Sequence, residues 1–212
     1  GDIFLLPINK ANNLLFLSAQ NQQNINKSLI KKEEIQSVKI NHIKLYPFSS
    51  RAELLSYISY KQNILIAINA EKIINRNPKL EKIINNNIGY ADGIGAIQAL
   101  KKKGYKEVIK IPGCEFWLDI INEFKKEKTF YFVGSTDKVI NETIQKLKKE
   151  HPEINILNYR NGFLKEGEKE ELIKDLKQKK PDIVFVAQGT PRQEYLMEEL
   201  LNREYLLYLP YV

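Results

Sequence analysis

The sequence predicts an α/β fold, a mostly parallel sheet with helices on both faces, preceded by a small N-terminal extension. Three observations carry that prediction. Short, nearly continuous apolar runs recur as NILIAI at 63–68, TFYFV at 129–133 and DIVFVA at 182–187, and such runs belong to strands covered on both faces. Each run leads into a stretch with helical apolar spacing, the last two through a turn of small or polar residues. Strands that alternate with helices imply right-handed crossovers and a parallel sheet. No internal repeat and no Pro/Gly/Ser-rich linker divides the core.

The elements follow in order. Residues 1–37 read as the extension: the apolar runs Ile3-Phe4-Leu5-Leu6 and Leu14-Leu15-Phe16-Leu17, with a polar tract over 19–27, suit a short hairpin or strand pair and then a loop. The core is expected over 38–212. Ser49-Ser50 can cap a helix carrying Leu54, Leu55 and Ile58, with Glu53 placed for a capping box on Ser50. After the 63–68 strand comes a helix pair through Leu80, Ile83 and Ile84, then strand, Gly-rich turn and helix over 88–103, stopped at Gly104. The second half repeats the rhythm: strand 129–133, turn Gly134-Ser135-Thr136, helix 137–150 with Val139, Ile140, Ile144 and Leu147 on one face. Strand 154–157, helix 166–179, strand 182–187, turn 188–191, helix 192–202 and a last strand over 205–209 complete it.

Composition narrows the function. The 212 residues are 43% hydrophobic and 28% charged, ordinary for a globular domain. No run approaches the roughly 18–20 apolar residues of a membrane span, and no basic leader opens the sequence. The single cysteine, Cys114, excludes a disulfide framework and a multi-Cys zinc site and is read as a half-buried structural thiol; a reducing, cytoplasmic setting is expected. The net charge of +7 admits a nucleic acid, an anionic membrane surface or a phosphorylated substrate as partner. Only five of the basic residues are Arg against 28 Lys, which disfavours base readout. The two histidines, His42 and His151, have no neighbouring ligand set, so no metal site is expected.

Ligands on parallel α/β sheets bind at the carboxyl ends of the strands, where helix N-termini point outward. Three turns have that placement. In Asp92-Gly93-Ile94-Gly95 the glycines let backbone amides approach a phosphate or sugar, and Asp92 is either an acid that meets a sugar hydroxyl or the cap of the next helix. Gly134-Ser135-Thr136 either cradles a diphosphate or caps a helix. In Gly189-Thr190-Pro191-Arg192-Gln193-Glu194 a cation crowds a helix N-terminus, which suits an anionic ligand or a surface Arg–Glu pair. A dinucleotide fingerprint fails because Gln98 stands where a third glycine belongs and no acidic ribose partner follows. There is no Asp-x-Asp clamp, nucleophile elbow or Walker A loop.

Taken together, the motifs resemble the WecG/TagA/CpsF family, glycosyltransferase family 26. The resemblance runs from about Val38 onward. It rests on Asn69 in Ala67-Ile68-Asn69-Ala70-Glu71, on Ala91-Asp92-Gly93-Ile94-Gly95, and on Lys110-Ile111-Pro112-Gly113-Cys114-Glu115. Tyr131-Phe132-Val133-Gly134-Ser135, Asn161-Gly162-Phe163 and the run from Pro181 through Gly189-Thr190-Pro191-Arg192-Gln193-Glu194 complete it. It implies a Rossmann-like fold and an inverting, metal-independent transferase with no cofactor. Such enzymes move a sugar from a UDP-sugar to a polyprenyl-diphosphate-linked sugar, building wall teichoic acid linkers, enterobacterial common antigen, capsules and related glycans. The implied partners are the UDP-sugar, the lipid-linked acceptor and an anionic membrane surface at the inner face of the plasma membrane, with no nucleic acid; a homo-oligomer is admitted.

The resemblance makes Asp92 the candidate general base, puts Gln193 near the sugar nucleotide, and lines the nucleotide cleft with Gly134, Ser135 and Gly189. The same matches put Asn69, Gly93, Gly95, Lys110, Gly113, Glu115, Gly162, Phe163, Arg192 and Glu194 in the substrate-binding set. Lys110 replaces an Arg of many members and loses its bidentate fork; Ala67 replaces a Thr. Members continue into a Gly-rich strand turn and a basic appendage, whereas this sequence stops at Val212 and is expected to be weakly active or inactive as it stands. Two other readings compete: a nicotinamide-dependent oxidoreductase on a similar sheet, and a basic nucleic-acid-binding module.

Overall fold

A computed structural model describes residues 2–5, 35–59 and 63–205. In chain order these form β1 (Asp2–Leu5), β2 (Val38–Ile40), β3 (Ile43–Leu45), α1 (Arg51–Ile58), β4 (Ile64–Ile68), α2 (Ala70–Ile74), α3 (Pro78–Asn85) and β5 (Ile88–Ala91). Then follow α4 (Ile94–Lys102), α5 (Gly113–Phe124), β6 (Thr129–Gly134), α6 (Asp137–Glu150), β7 (Asn155–Arg160), α7 (Glu168–Lys179), β8 (Ile183–Ala187) and α8 (Arg192–Tyr205). The main sheet has the order β5-β4-β1-β8-β6-β7. Its β4–β5, β6–β7 and β6–β8 pairs are parallel, as the alternation of strand and helix requires.

Strands β4, β6 and β8 are apolar on both faces, and consecutive residues serve opposite layers. Leu65, Ile88, Tyr90, Phe130, Phe132, Ile183 and Phe185 join one core with residues of α1, α5 and α6. Ile64, Ile66, Ile68, Tyr131, Val133, Val184 and Val186 join the other with residues of α3, α4, α7 and α8. A fully buried Ile, Leu or Phe side chain contributes roughly 1.5–3 kcal/mol over an exposed one, so neither layer is dispensable. Helix α1 begins where the sequence says: Ser50 accepts from the Glu53 amide at 3.0 Å, although the Glu53 carboxylate reaches Ser49 rather than completing a box on Ser50.

Two expectations change. The N-terminal segment contributes no hairpin among the described residues; β1 enters the middle of the sheet, antiparallel to both β4 and β8, with Ile3 opposite Leu65 and Phe185. The second apolar run, 14–17, lies outside the described residues. At the other end Tyr205 closes α8, and 206–209, where a strand was expected, also lie outside them.

A small hairpin, β2–β3, was not expected. Asn41 turns it with φ +53°, in the left-handed region that two-residue hairpin loops need and Asn tolerates. The hairpin is stitched to the β5 edge through the Tyr46 amide, which donates to the Gly89 carbonyl at 2.8 Å. A Cβ at Gly89 would stand 2.8 Å from the Lys44 carbonyl oxygen, so only glycine lets β3 pass so close. Gly89→Ala is expected to lower unfolding stability by about 1–3 kcal/mol, read as an earlier urea midpoint at unchanged m-value; an unaltered midpoint would show that the hairpin yields freely.

Candidate active site

The parallel strands deliver their carboxyl ends to one edge of the sheet, and the turns there fall into two groups on either side of β1. On the β4–β5 side, Asn69 caps α2 by accepting from the Lys72 amide at 3.0 Å. The Asp92 amide donates to the Ile68 carbonyl at 3.0 Å, which ties the ends of β4 and β5 together. Gly95 permits the contact, because a Cβ there would lie 2.8 Å from the Ala70 Cβ, whereas one on Gly93 would sit in ordinary contact 3.5 Å from Asn69.

Asp92 does not cap its own helix. The N-cap of α4 is Gly93, without a side-chain bond. The half-buried Asp92 instead reaches across to α5, where its Oδ1 accepts from the Gly113 amide at 3.3 Å. Its Oδ2 has no partner among the described residues. The segment before α5 runs alongside because the Ile111 amide donates to the Ala91 carbonyl at 2.8 Å. That bond leaves Lys110 exposed beside the end of β5, without a partner among the described residues. Glu115, in the first turn of α5, is engaged by Arg51, which also holds Asp119 at 2.9 Å. The Glu115 hydrogen bond in particular, helped by Asp119, raises the Arg51 guanidinium above its ordinary range, though partial burial opposes it.

On the β8–β6–β7 side three turns interlock. The Ser135 amide donates to the Ala187 carbonyl at 3.1 Å and the Gly162 amide to the Ser135 carbonyl at 2.8 Å; Gln188 Nε2 donates to the Gly162 carbonyl at 2.6 Å. Glycine is needed twice. A Cβ at Gly134 would stand 2.7 Å from the Ala187 Cβ, and one at Gly162 3.0 Å from the Gly134 Cα. Thr136 is the N-cap of α6, and Phe163 beside this cluster is 64% exposed.

The β8 turn departs most from expectation. Gln193 is buried, and its Oε1 accepts from the Gly189 amide at 3.0 Å, so its carbonyl shapes the turn rather than standing open to a ligand. Glu194 is fully buried. It forms a 2.7 Å ion pair with Lys72 and accepts from the Thr190 hydroxyl at 2.8 Å. Lys72 Nζ also donates to the Ala67 carbonyl at 2.8 Å, so this pair joins the β4 side of the edge to the β8 side. Arg192 forms no surface pair with Glu; it is exposed, without a partner among the described residues, and lines a groove of about 520 Å³ with Lys79, Lys169 and Arg203. Cys114 is exposed, not half-buried.

Lys72 and Thr190 escaped the sequence reading. Nothing in the run Ala70-Glu71-Lys72-Ile73-Ile74 separates one buried lysine from the many solvated ones. Among the described residues no three His, Cys, Asp or Glu side chains converge as metal ligands, and no helix is long and apolar enough to cross a membrane.

A family model, Glycosyl transferase WecG/TagA/CpsF family, matches residues 37–207. The matched span takes in both groups of turns at the carboxyl edge.

Removing one partner of a buried ion pair leaves an uncompensated charge. Glu194→Gln is therefore expected to cost about 3–5 kcal/mol in urea denaturation, and the double variant Lys72→Met/Glu194→Leu to recover most of that loss. Equal stability of the single and double variants would show the charges are not coupled.

Proposed function

The chain belongs to the glycosyl transferase WecG/TagA/CpsF family, and on that premise we propose that it moves a sugar from a UDP-sugar to a polyprenyl-diphosphate-linked sugar, with inversion and without a metal ion. Membership makes it a glycosyltransferase of surface-glycan synthesis. The nicotinamide-dependent oxidoreductase reading has no such support.

One observation carries the reading: Asp92 stands at the carboxyl end of β5 with one oxygen oriented by the Gly113 amide and the other unengaged among the described residues. A carboxylate so held is fixed in rotamer yet keeps lone pairs for a proton. In the proposed step Asp92 accepts the proton of the acceptor hydroxyl. The hydroxyl oxygen forms the new bond to the anomeric carbon while the bond from that carbon to the UDP oxygen breaks on the opposite face. The departing diphosphate gains charge, which oriented amides and nearby cations stabilise. The Gly134–Ser135–Thr136 turn at the N-terminus of α6 is suited to this, with Lys110 and Arg192 as mobile point charges. The donor then lies across the amino end of β1, its nucleotide toward β8 and β6, its sugar toward β4 and β5. Exposed Phe163 and Ile94 together with the lysine excess suit a peripheral position at the cytoplasmic face of an anionic membrane.

Asp92→Asn is expected to lower turnover by about 10²–10⁴-fold, the usual worth of a general base, with UDP affinity by calorimetry unchanged and EDTA without effect on the native enzyme. Near-normal turnover of the variant excludes Asp92 as the base; loss of activity in EDTA excludes metal independence.

A further inference from the structure

The turn after β8 carries a hydroxyl whose polarity is fixed from beneath. Thr190 is exposed at the carboxyl edge, and its Oγ1 donates at 2.8 Å to Glu194 Oε1. The same carboxylate oxygen meets Lys72 Nζ at 2.7 Å. Lys72 and Glu194 are 7% and 0% exposed. An ionised carboxylate only accepts hydrogen bonds, and the ammonium beside it favours the ionised form. The Thr190 proton is therefore committed to Glu194, and the hydroxyl offers a ligand lone pairs alone. Among the described residues nothing donates to it.

Asn69 is the opposite case. It too is exposed at the edge. Its Oδ1 is committed to the Lys72 amide at 3.0 Å, and its Nδ2 has no acceptor among the described residues. One group offers only lone pairs and the other only N–H. They stand at the two ends of a single residue, because Lys72 meets Asn69 through its backbone and the Thr190–Glu194 pair through its ammonium.

We propose that Thr190 is a specificity-determining residue that accepts a hydrogen bond from a hydroxyl of the donor sugar, and that Lys72 and Glu194 are positioning residues that keep Thr190 in this acceptor-only state, with Asn69 as the complementary N–H donor. The proposal rests on the ligand being a UDP-sugar. With its nucleotide on the β8–β6 turns and its sugar toward β4 and β5, that ligand brings its sugar ring across the gap that Lys72 spans.

Two arguments support this role. A buried ion pair adds little over an apolar pair of the same volume, so stability does not account for Lys72 and Glu194; fixing the polarity of a hydroxyl is something an apolar pair cannot do. A threonine hydroxyl free to rotate serves a ligand donor or a ligand acceptor alike. One whose proton is taken disfavours any ligand that presents an acceptor there, since a buried polar group left unpaired is costly. The neighbouring Gln193 carbonyl leaves the acceptor role to Thr190, because its Oε1 is taken by the Gly189 amide at 3.0 Å.

Calorimetric titration of the whole chain with UDP, UDP-glucose, UDP-galactose and UDP-N-acetylglucosamine tests this, each sugar nucleotide being read relative to UDP. At least one is expected to bind the native protein more tightly than UDP. Thr190→Val, which keeps the side-chain shape and removes the hydroxyl, is expected to weaken the tightest of them about 5–10-fold, the upper range of one net hydrogen bond, with UDP itself unchanged. Thr190→Ser keeps the contact and is expected to stay within about 2-fold of native. Lys72→Met/Glu194→Leu is expected to lose the advantage of the sugar over UDP as Thr190→Val does, whereas a merely structural pair would leave it intact once stability is recovered. A Val variant with the native ratio, a Ser variant as weak as Val, or a native protein for which no sugar improves on UDP overturns the contact while the donor reading stands. A double variant with the native ratio overturns the positioning role. Should the double variant lose its fold, the comparison of Val with Ser decides. A native protein that binds no uridine nucleotide overturns the donor reading and the contact with it.

Discussion

A buried ion pair holds the two sides of the carboxyl edge to each other. Lys72, at the start of the crossover after β4, and Glu194, at the start of α8, meet at 2.7 Å with almost no exposure. Each is also satisfied by a neighbour of its partner's half or its own: Lys72 by the Ala67 carbonyl, Glu194 by the Thr190 hydroxyl. A pair of this kind adds little stability over an apolar substitute, yet it tolerates few alternative arrangements. Among the described residues the same two sides meet in the sheet through β1, four residues long and antiparallel to both neighbours. Strand and ion pair together set how far the Asp92 turn stands from the Gly189 turn.

The two groups of turns are built by different means. On the β6–β7–β8 side, backbone meets backbone: Gly134 and Gly162 allow close approaches that a Cβ would obstruct, the Ser135 amide donates to the Ala187 carbonyl, and the Gly162 amide donates to the Ser135 carbonyl. Such a cluster is rigid and neutral and offers dipoles. On the β4–β5 side a carboxylate is suspended from a distant helix terminus, with an exposed lysine close by in sequence and space. It offers charge and a proton acceptor. The dipolar cradle and the ionisable group thus stand on opposite sides of β1.

Much of this was legible in the sequence, for identifiable reasons. Runs such as TFYFV and IVFVA announce strands because both faces are covered, so every position is apolar. Turns announced themselves through glycines whose spacing only a tight backbone requires. What escaped depends on partners remote in sequence. Ile3-Phe4-Leu5 is too short to declare its direction, and its neighbours lie some sixty and one hundred eighty residues away. Glu194 reads as half of a surface Arg–Glu pair or, by the resemblance, as a substrate-binding residue at a helix N-terminus, and only the fold brings Lys72 over it. The helix α5 that carries Trp117 was not among the expected elements, and the cavity Trp117 shares with Thr143 exists only once α5 and α6 pack side by side over β6 and β8.

The chain carries one sulfhydryl, Cys114, and it faces solvent directly after the amide that orients Asp92. Thiol-directed chemistry is thereby channelled to a single address. A maleimide fluorophore or a spin label attached there, without any substitution elsewhere, becomes a reporter seated at the rim of the acid-bearing turn.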